Sequence, residues 1–174
     1  RVLPESRTAE SFLFLDGTPS REIHDLAYER RLTILSQSEG DLGHRLRSAF
    51  AALRSRGAER VVAIGTDTPH LDPDLVVNAF EALGTHDLVI GPAEDGGYYL
   101  IGMREPADGM FESIAWSTPT VLDSTLERAR ALGHSVEMLP RSYDIDDAGT
   151  LLRAAREHGS RLPGLQEMAR LLER

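Results

Sequence analysis

The sequence predicts an α/β fold, with a mostly parallel central sheet and helices on both of its faces. Three compact apolar runs, at 12–17, 32–37 and 60–69, end in turn residues, which is typical of buried strands. Segments with helical spacing of apolar residues, or with helix caps, lie between and after these runs. Strands that alternate with helices favour a parallel sheet covered on both sides. The length of 174 residues fits one domain over 1–174.

Each element has its own local signal in the sequence. Apolar residues at helical spacing predict a helix that begins near Asp41. Asp72 is a predicted N-cap, Pro73 a first-turn residue and Gly84 a terminator, so we expect a helix over 71–84. Similar signals predict strands at 86–92, 98–103 and 135–140, and helices at 117–133, 146–159 and 165–173. In such sheets, ligands bind beyond the carboxyl ends of the strands.

The composition excludes several classes of protein. The net charge is −9 and no basic surface is evident, so we expect no nucleic-acid partner. The sequence contains no lysine, which excludes a Walker-type phosphate loop, and no cysteine, which excludes disulfides and thiolate metal sites. No apolar run is long enough to span a bilayer and no signal-peptide pattern opens the sequence, so we expect a cytoplasmic protein.

Acidic residues follow two of the predicted strands. Asp67 comes directly after an apolar strand, where a carboxylate needs a partner such as Mg²⁺ or Mn²⁺. Asp144 and Asp146 follow the last strand, and alternation in an extended segment points both to one side. We therefore predict a metal cluster of Asp67, Asp144 and Asp146, while Asp147 caps the next helix. The alternatives are a turn aspartate at position 67 and a solvated acidic helix entry at 144–147.

The stretch GPAEDGGYYLIG, residues 91–102, has two interpretations. Asp95, Gly96 and Gly97 are compatible with a plain hairpin turn. Paired glycines also allow a ligand to approach the backbone, and Glu94 or Asp95 beside them can accept hydrogen bonds from sugar hydroxyls. Two further candidates follow this stretch. Trp116 is either an apolar wall over a ligand or a core residue, and Ser117 lies near a helix N-terminus that suits either a cap or a phosphate.

The segment after the second predicted strand carries candidates for nucleotide binding. Gln37 and Gly40 can line a base if side chains stay out of the way, and Arg45 can contact a phosphate. Asp41 is either a further ligand contact or only the cap of its helix. Asp16, which ends the first apolar run, is predicted to belong to an ordinary strand-end turn.

Five segments together carry a family resemblance. They are GDLGHRL, VVAIGTDTPHL, DLVIGPAEDGGYYLIGM, FESIAWSTPTVL and LPRSYDIDDAGTL, and they span nearly the whole chain. The combination resembles the GT-A-like radical-SAM/selenodomain-associated transferases, which are described as glycosyltransferases within the nucleotide-diphospho-sugar transferase superfamily. The wider superfamily includes nucleotidyltransferases.

The resemblance implies a Rossmann-like GT-A fold that binds a nucleoside phosphate and a divalent metal, Mg²⁺ or Mn²⁺. It places Asp67, Asp144 and Asp146 at the metal, and Gln37 and Gly40 near the base. The stretch Asp95 to Gly97 would face the sugar or acceptor. The family usually begins with a strand and a basic phosphate loop that nothing here matches, so we expect the 1–174 domain to lack both.

Three functional hypotheses follow. The first is a metal-dependent glycosyltransferase with a nucleotide-sugar donor and a small-molecule acceptor, in which Glu94 or Asp95 orients the acceptor or acts as base. The second is a nucleotidyltransferase that uses a nucleoside triphosphate and releases pyrophosphate. The third is a nucleotide-binding module without catalysis. The acceptor, the donor and the oligomeric state are not determined by the sequence.

Overall fold

The computed structural model describes residues 9–105 and 109–172, which form a mixed α/β fold. Six strands are present in these ranges: β1 (Ser11–Leu15), β2 (Leu32–Ser36), β3 (Val61–Ile64), β4 (Leu88–Pro92), β5 (Tyr98–Met103) and β6 (Val136–Met138). The helices of the same ranges are α1 (Arg21–Arg30), α2 (Leu42–Arg54), α3 (Pro73–Ala82), α4 (Val121–Ala131), α5 (Ala148–His158) and α6 (Pro163–Leu172). All the predicted strands are present, whereas α1 was not predicted.

The main sheet is mixed, which corrects the prediction of a mostly parallel one. Its strand order is β3-β5-β4-β6, and β5 runs antiparallel to both β3 and β4, while β4 and β6 are parallel. The reason is the short connection between β4 and β5, residues 93–97. A connection of this length closes a hairpin, whereas a parallel crossover needs a dozen residues or more.

Strands β1 and β2 form a separate parallel pair, with Leu13 opposite Ile34 at its centre. The helix α1 connects them, as a parallel pair requires. Ser20 caps this helix and Arg31 ends it in the left-handed conformation, with φ 55°. Within the described residues, β1 pairs only with β2, and β3 pairs only with β5.

Helices cover both faces of the main sheet, as predicted. On one face Ile90 and Ile101 pack in a cluster that includes Phe50 of α2 and Leu122 of α4. On the other face, Val89 and Leu100 pack in a cluster with residues of α3. The central strand β4 is buried along its whole length. A third cluster joins α5 to α6, and it includes Tyr143 from the segment before α5.

The predicted helix caps are confirmed, and one predicted helix start was wrong. Asp41 accepts a hydrogen bond from the His44 N–H at 2.8 Å, and Asp72 accepts one from Asp74 at 3.0 Å. The Asp147 side chain accepts from the Thr150 N–H, and the Thr150 side chain accepts from the Asp147 backbone N–H, which completes a capping box. The helix predicted at 117–133 begins only at Val121, because residues 117–120 form an irregular turn. No helix in the described ranges is long and apolar enough to cross a membrane.

Candidate functional site

A cavity of about 1940 Å³, here called the main cavity, lies between β1 and β3 and extends over the carboxyl ends of both strands. Its volume exceeds the range of about 300–1,000 Å³ usual for small-molecule sites. Both strands line it, and neither has a further strand on its other edge within 9–105 and 109–172. The polar residues that line it include Asp16, Gln37, Arg45, Asp67, Asp95, Ser117, Asp144 and Asp146.

Four carboxylates line the main cavity and lie near one another. Asp67 follows β3, Asp95 lies in the β4–β5 turn, and Asp144 and Asp146 precede α5. The Ile145 N–H donates to the Asp67 carbonyl at 3.0 Å and so joins two of these segments. Burial, together with the negative charges of Asp67, Asp95 and Asp146, raises the pKa of Asp144 to about 6. The carboxylates are therefore close enough to repel one another.

This acidic cluster has the donor chemistry of a divalent-cation site, but not a closed ligand set. Hard cations such as Mg²⁺ and Mn²⁺ prefer carboxylate oxygens, and a cation would relieve the repulsion that raises the pKa of Asp144. Across residues 9–105 and 109–172, however, no three acidic or histidine side chains converge at metal-binding distances. The assignment of Asp67, Asp144 and Asp146 as metal ligands therefore stays a prediction, and binding would require these side chains to move together.

The two glycines of the β4–β5 turn differ in how much space surrounds them. Gly96 has φ +93°, and a Cβ at this position would lie 2.7 Å from the Pro119 carbonyl carbon. The Leu122 N–H also donates to the Gly96 carbonyl at 2.9 Å, so this glycine anchors the start of α4. Gly97 has no positive φ and lines the main cavity. Packing thus explains Gly96 without a ligand, and its predicted contact with substrate stays a prediction.

The two acids of this turn lie in different surroundings. The Gly97 N–H donates to Asp95 Oδ1 at 2.8 Å, which fixes the carboxylate at the main cavity. Glu94 instead accepts from Arg153 at 2.9 Å and lines a second cavity of about 360 Å³, here called the back cavity. The sequence predicted Glu94 and Asp95 as equivalent candidates, whereas the structure brings only Asp95 to the acidic cluster.

Arg45 organises the opposite wall of the main cavity. Its guanidinium donates to Gln37 Oε1 at 2.8 Å, to the Gly40 carbonyl at 3.0 Å and to Asp16 Oδ2 at 3.3 Å. The predicted pair Gln37 and Arg45 is therefore brought together, and both residues line the cavity. Asp16 was predicted to be an ordinary turn residue. Its contact with Arg45, 29 positions away, gives it a place in the site that no local signal indicates.

Gly40 and Asp41 support this wall but do not line the cavity. Gly40 has φ +106° and supplies a carbonyl to Arg45, and Asp41 caps α2. Neither is among the described residues that line the main cavity. Both positions are explained by local structure, and their predicted contacts with a nucleotide stay predictions.

Trp116 forms an apolar part of the wall. It packs beside Phe111, with ring centroids 6.3 Å apart, and it also lines the main cavity. A Cβ on Gly43 of α2 would lie 2.5 Å from the indole Nε1, so the absence of a side chain allows the ring to lie on the helix. Ser117 follows with φ 60° and lines the cavity as well. The predicted wall residue thus serves the core and the cavity together.

The chain is similar to one family of proteins and to a solved structure. The family profile DUF2064, described as "Uncharacterized protein conserved in bacteria", matches residues 1–118. No curated protein matches the sequence. Among solved structures, the chain is similar to a protein from Desulfovibrio desulfuricans G20 that carries the description "putative nucleotide-diphospho-sugar transferase". The two are 28% identical, with a TM-score of 0.81, and the similarity covers 94% of this chain and 75% of that one.

Proposed function

The chain belongs to the DUF2064 family, and we propose that it is a metal-dependent glycosyltransferase with a nucleotide-sugar donor. One observation carries the proposal: Asp67, Asp95 and Asp144 come from three separate segments and line the same cavity. The description of the similar Desulfovibrio protein supports a transferase of nucleotide-diphospho-sugar type. The position of the acids at the carboxyl ends of strands also agrees with where α/β sheets bind ligands.

The donor would lie between the two polar walls of the main cavity. Arg45, held by three acceptors, presents a guanidinium of fixed orientation to the donor's phosphates, and Gln37 lies beside it for the nucleoside. On the other wall, Asp67, Asp144 and Asp146 would hold Mg²⁺ or Mn²⁺. The bound metal would stabilise the negative charge that develops on the leaving nucleoside diphosphate.

Asp95 is the residue best placed to act on the acceptor. Its Oδ1 is held by the Gly97 N–H, so Oδ2 remains to accept a hydrogen bond from an acceptor hydroxyl. A carboxylate of fixed orientation positions that hydroxyl and receives its proton as the new bond forms. Glu94 is paired with Arg153 on the other side of the turn, so in this proposal it holds the loop rather than the acceptor.

Ligand-induced stabilisation of the full natural chain tests the proposal. Nucleotide sugars and nucleoside triphosphates are each added with Mn²⁺, and the melting temperature is recorded. At a ligand concentration of 100 times Kd we expect stabilisation of about 2.7 kcal/mol. For a domain of this size, that corresponds to about 5–10 °C. Asp67→Asn should abolish the Mn²⁺-dependent part of the shift. Asp25→Asn makes the same chemical change at an exposed position of α1 and should leave the shift intact.

The outcomes separate the three functional hypotheses. Stabilisation by one nucleotide sugar, followed by release of nucleoside diphosphate in a turnover assay, supports the glycosyltransferase. Stabilisation by one triphosphate with release of pyrophosphate would replace it with a nucleotidyltransferase. Metal-dependent binding without turnover on any acceptor tested would leave a nucleotide-binding module. The absence of any Mn²⁺-dependent shift would refute the metal site.

A further inference from the structure

The back cavity lies on the other side of the segments that carry the acidic cluster. Its lining includes His70, Arg141, Ser142, Arg153, His158 and Arg161. Its volume of about 360 Å³ falls at the lower end of the range for small-molecule sites. Nothing in the proposed glycosyl transfer uses these residues, so the cavity needs its own explanation.

The back cavity concentrates positive charge in an acidic protein. Three arginines line it, Arg141, Arg153 and Arg161, although the whole chain carries a net charge of −9. Two acids line it as well, Glu94 and Asp72, but both are already engaged. Glu94 binds Arg153 at 2.9 Å, and Asp72 accepts from the first turn of α3. Asp72 keeps its charge, but among the described residues Arg141 and Arg161 have no ion-pair partner, so the lining is positive on balance.

The three arginines are held to different degrees. Arg153 lies 3.8 Å from the centroid of the Tyr143 ring and also bonds Glu157 at 3.1 Å, so its position is fixed. Arg161 donates to the His70 carbonyl. Arg141 is exposed and has no ion-pair partner within 9–105 and 109–172. An incoming anion would thus meet one free guanidinium and two that are already oriented.

His70 contributes hydrogen-bonding groups to the back cavity. His70 is 4% exposed and stacks between Tyr143, at 4.2 Å, and His158, at 5.2 Å. Burial is the main cause that lowers the pKa of His70, which favours the neutral ring. Its Nε2 lies 3.2 Å from Ser142 Oγ, while Nδ1 is buried and has no partner among the described residues. The polar network around the cavity is therefore incomplete in the described chain.

We propose that the back cavity binds a small molecule through a phosphate group, with Arg141, Arg161 and Ser142 as its principal donors. Arginine donors recognise phosphate through short, charge-assisted hydrogen bonds. Arg141, Arg161 and the Ser142 hydroxyl together offer more N–H and O–H donors than the two oxygens of a carboxylate can accept, which favours the tetrahedral phosphate group. The cavity is larger than a phosphate ion and has room for an organic portion. The proposal is independent of the proposed transferase activity.

Titration of the full natural chain with inorganic phosphate, at constant ionic strength, tests the proposal. Affinity is measured by calorimetry, and the ring signals of His70 and His158 are followed by NMR. We expect saturable binding that shifts the histidine signals. Arg141→Ala should weaken the binding about tenfold or more, because a charge-assisted hydrogen bond is lost. Arg141→Lys should retain part of the affinity. Arg130→Ala, at an exposed arginine of α4 outside this cavity, should have no effect.

A second titration with glycerol phosphate identifies the source of the phosphate group. Tighter binding than inorganic phosphate indicates a phosphorylated metabolite, and equal binding indicates the free ion. Equal affinities of the Arg141→Ala and Arg130→Ala variants would overturn the proposal. Loss of phosphate binding in Arg45→Ala alone would also overturn it, because the ion would then occupy the main cavity. Asp67→Asn should leave phosphate affinity unchanged, so failure of the transferase proposal would not affect this result.

Discussion

Alanine substitution at Gly96 and Gly97 tests whether the β4–β5 turn needs glycine because of packing or because a ligand approaches the backbone. At Gly96 the backbone has φ +93°, and an added Cβ would press on the Pro119 backbone, 2.7 Å away at the carbonyl carbon. A left-handed conformation costs a non-glycine residue roughly 1–2 kcal/mol. Overpacking against atoms that cannot rotate away adds typically about 1–3 kcal/mol. We therefore expect Gly96→Ala to lower the free energy of unfolding by about 3 kcal/mol.

Gly97→Ala is the matched variant. Its φ is ordinary, and its Cβ would lie 3.2 Å from Asp95 Oδ1, so a shift of the carboxylate by a few tenths of an ångström accommodates it. We expect a stability loss below about 1 kcal/mol. Since Gly97 lines the main cavity, this variant should instead weaken nucleotide-sugar binding.

Thermal and urea unfolding of both variants, with ligand titration of each, provide the measurement. A loss of about 3 kcal/mol corresponds to a fall in melting temperature of roughly 6–12 °C for a domain of this size. Equal stability losses in the two variants would refute the packing explanation of Gly96. Unchanged stability of Gly96→Ala, together with lost ligand binding, would restore the original interpretation that the backbone is bare for a substrate.

Two further predictions concern acid stability and the cavity wall. Hydrogen bonds from Ser135 lower the pKa of Asp87 to about 2. This stabilisation is fully present above the unfolded-state pKa of about 3.9 and is lost as the pH falls through about 2. Because the side chain is about one-third exposed, we expect Asp87 to contribute about 1–2 kcal/mol to the free energy of unfolding. The contribution is measured by urea unfolding of wild type and Asp87→Asn at several pH values. Equal pH profiles of the two proteins would contradict the prediction. Gly43→Ala should displace Trp116, whose indole Nε1 would lie 2.5 Å from the new Cβ, and so change tryptophan fluorescence and weaken nucleotide binding. An unchanged emission spectrum would show that the ring does not lie on α2.

Local signals in the sequence were sufficient for the element boundaries that depend on neighbouring residues. Asp41, Asp72 and Asp147 were predicted as N-caps, and all three accept the expected backbone bonds. A cap depends on residues two or three positions away, so it can be predicted from the local sequence. The direction of β5 could also have been inferred, because five residues between two strands favour a hairpin over a crossover.

Contacts between distant segments could not be predicted in this way. Asp16 and Arg45 are 29 positions apart, and only the parallel pairing of β1 and β2 brings the ends of these strands together. Trp116 and Gly43 are a similar case, since their contact depends on how α2 packs beneath the loop. The sequence showed that Gln37 and Arg45 were candidates, but not that Asp16 belongs to the same wall.

Neighbouring residues of the two acidic segments point alternately to the main cavity and to the back cavity. In the extended segment before α5, Asp144 and Asp146 line the main cavity, as predicted, and Tyr143 between β6 and Asp144 faces the back cavity. The β4–β5 turn divides in the same manner, with Asp95 on one side and Glu94 on the other. Because Arg153 contacts both Glu94 and Tyr143, it joins the two segments from behind. A change in the position of Arg153 would therefore act on both of these segments.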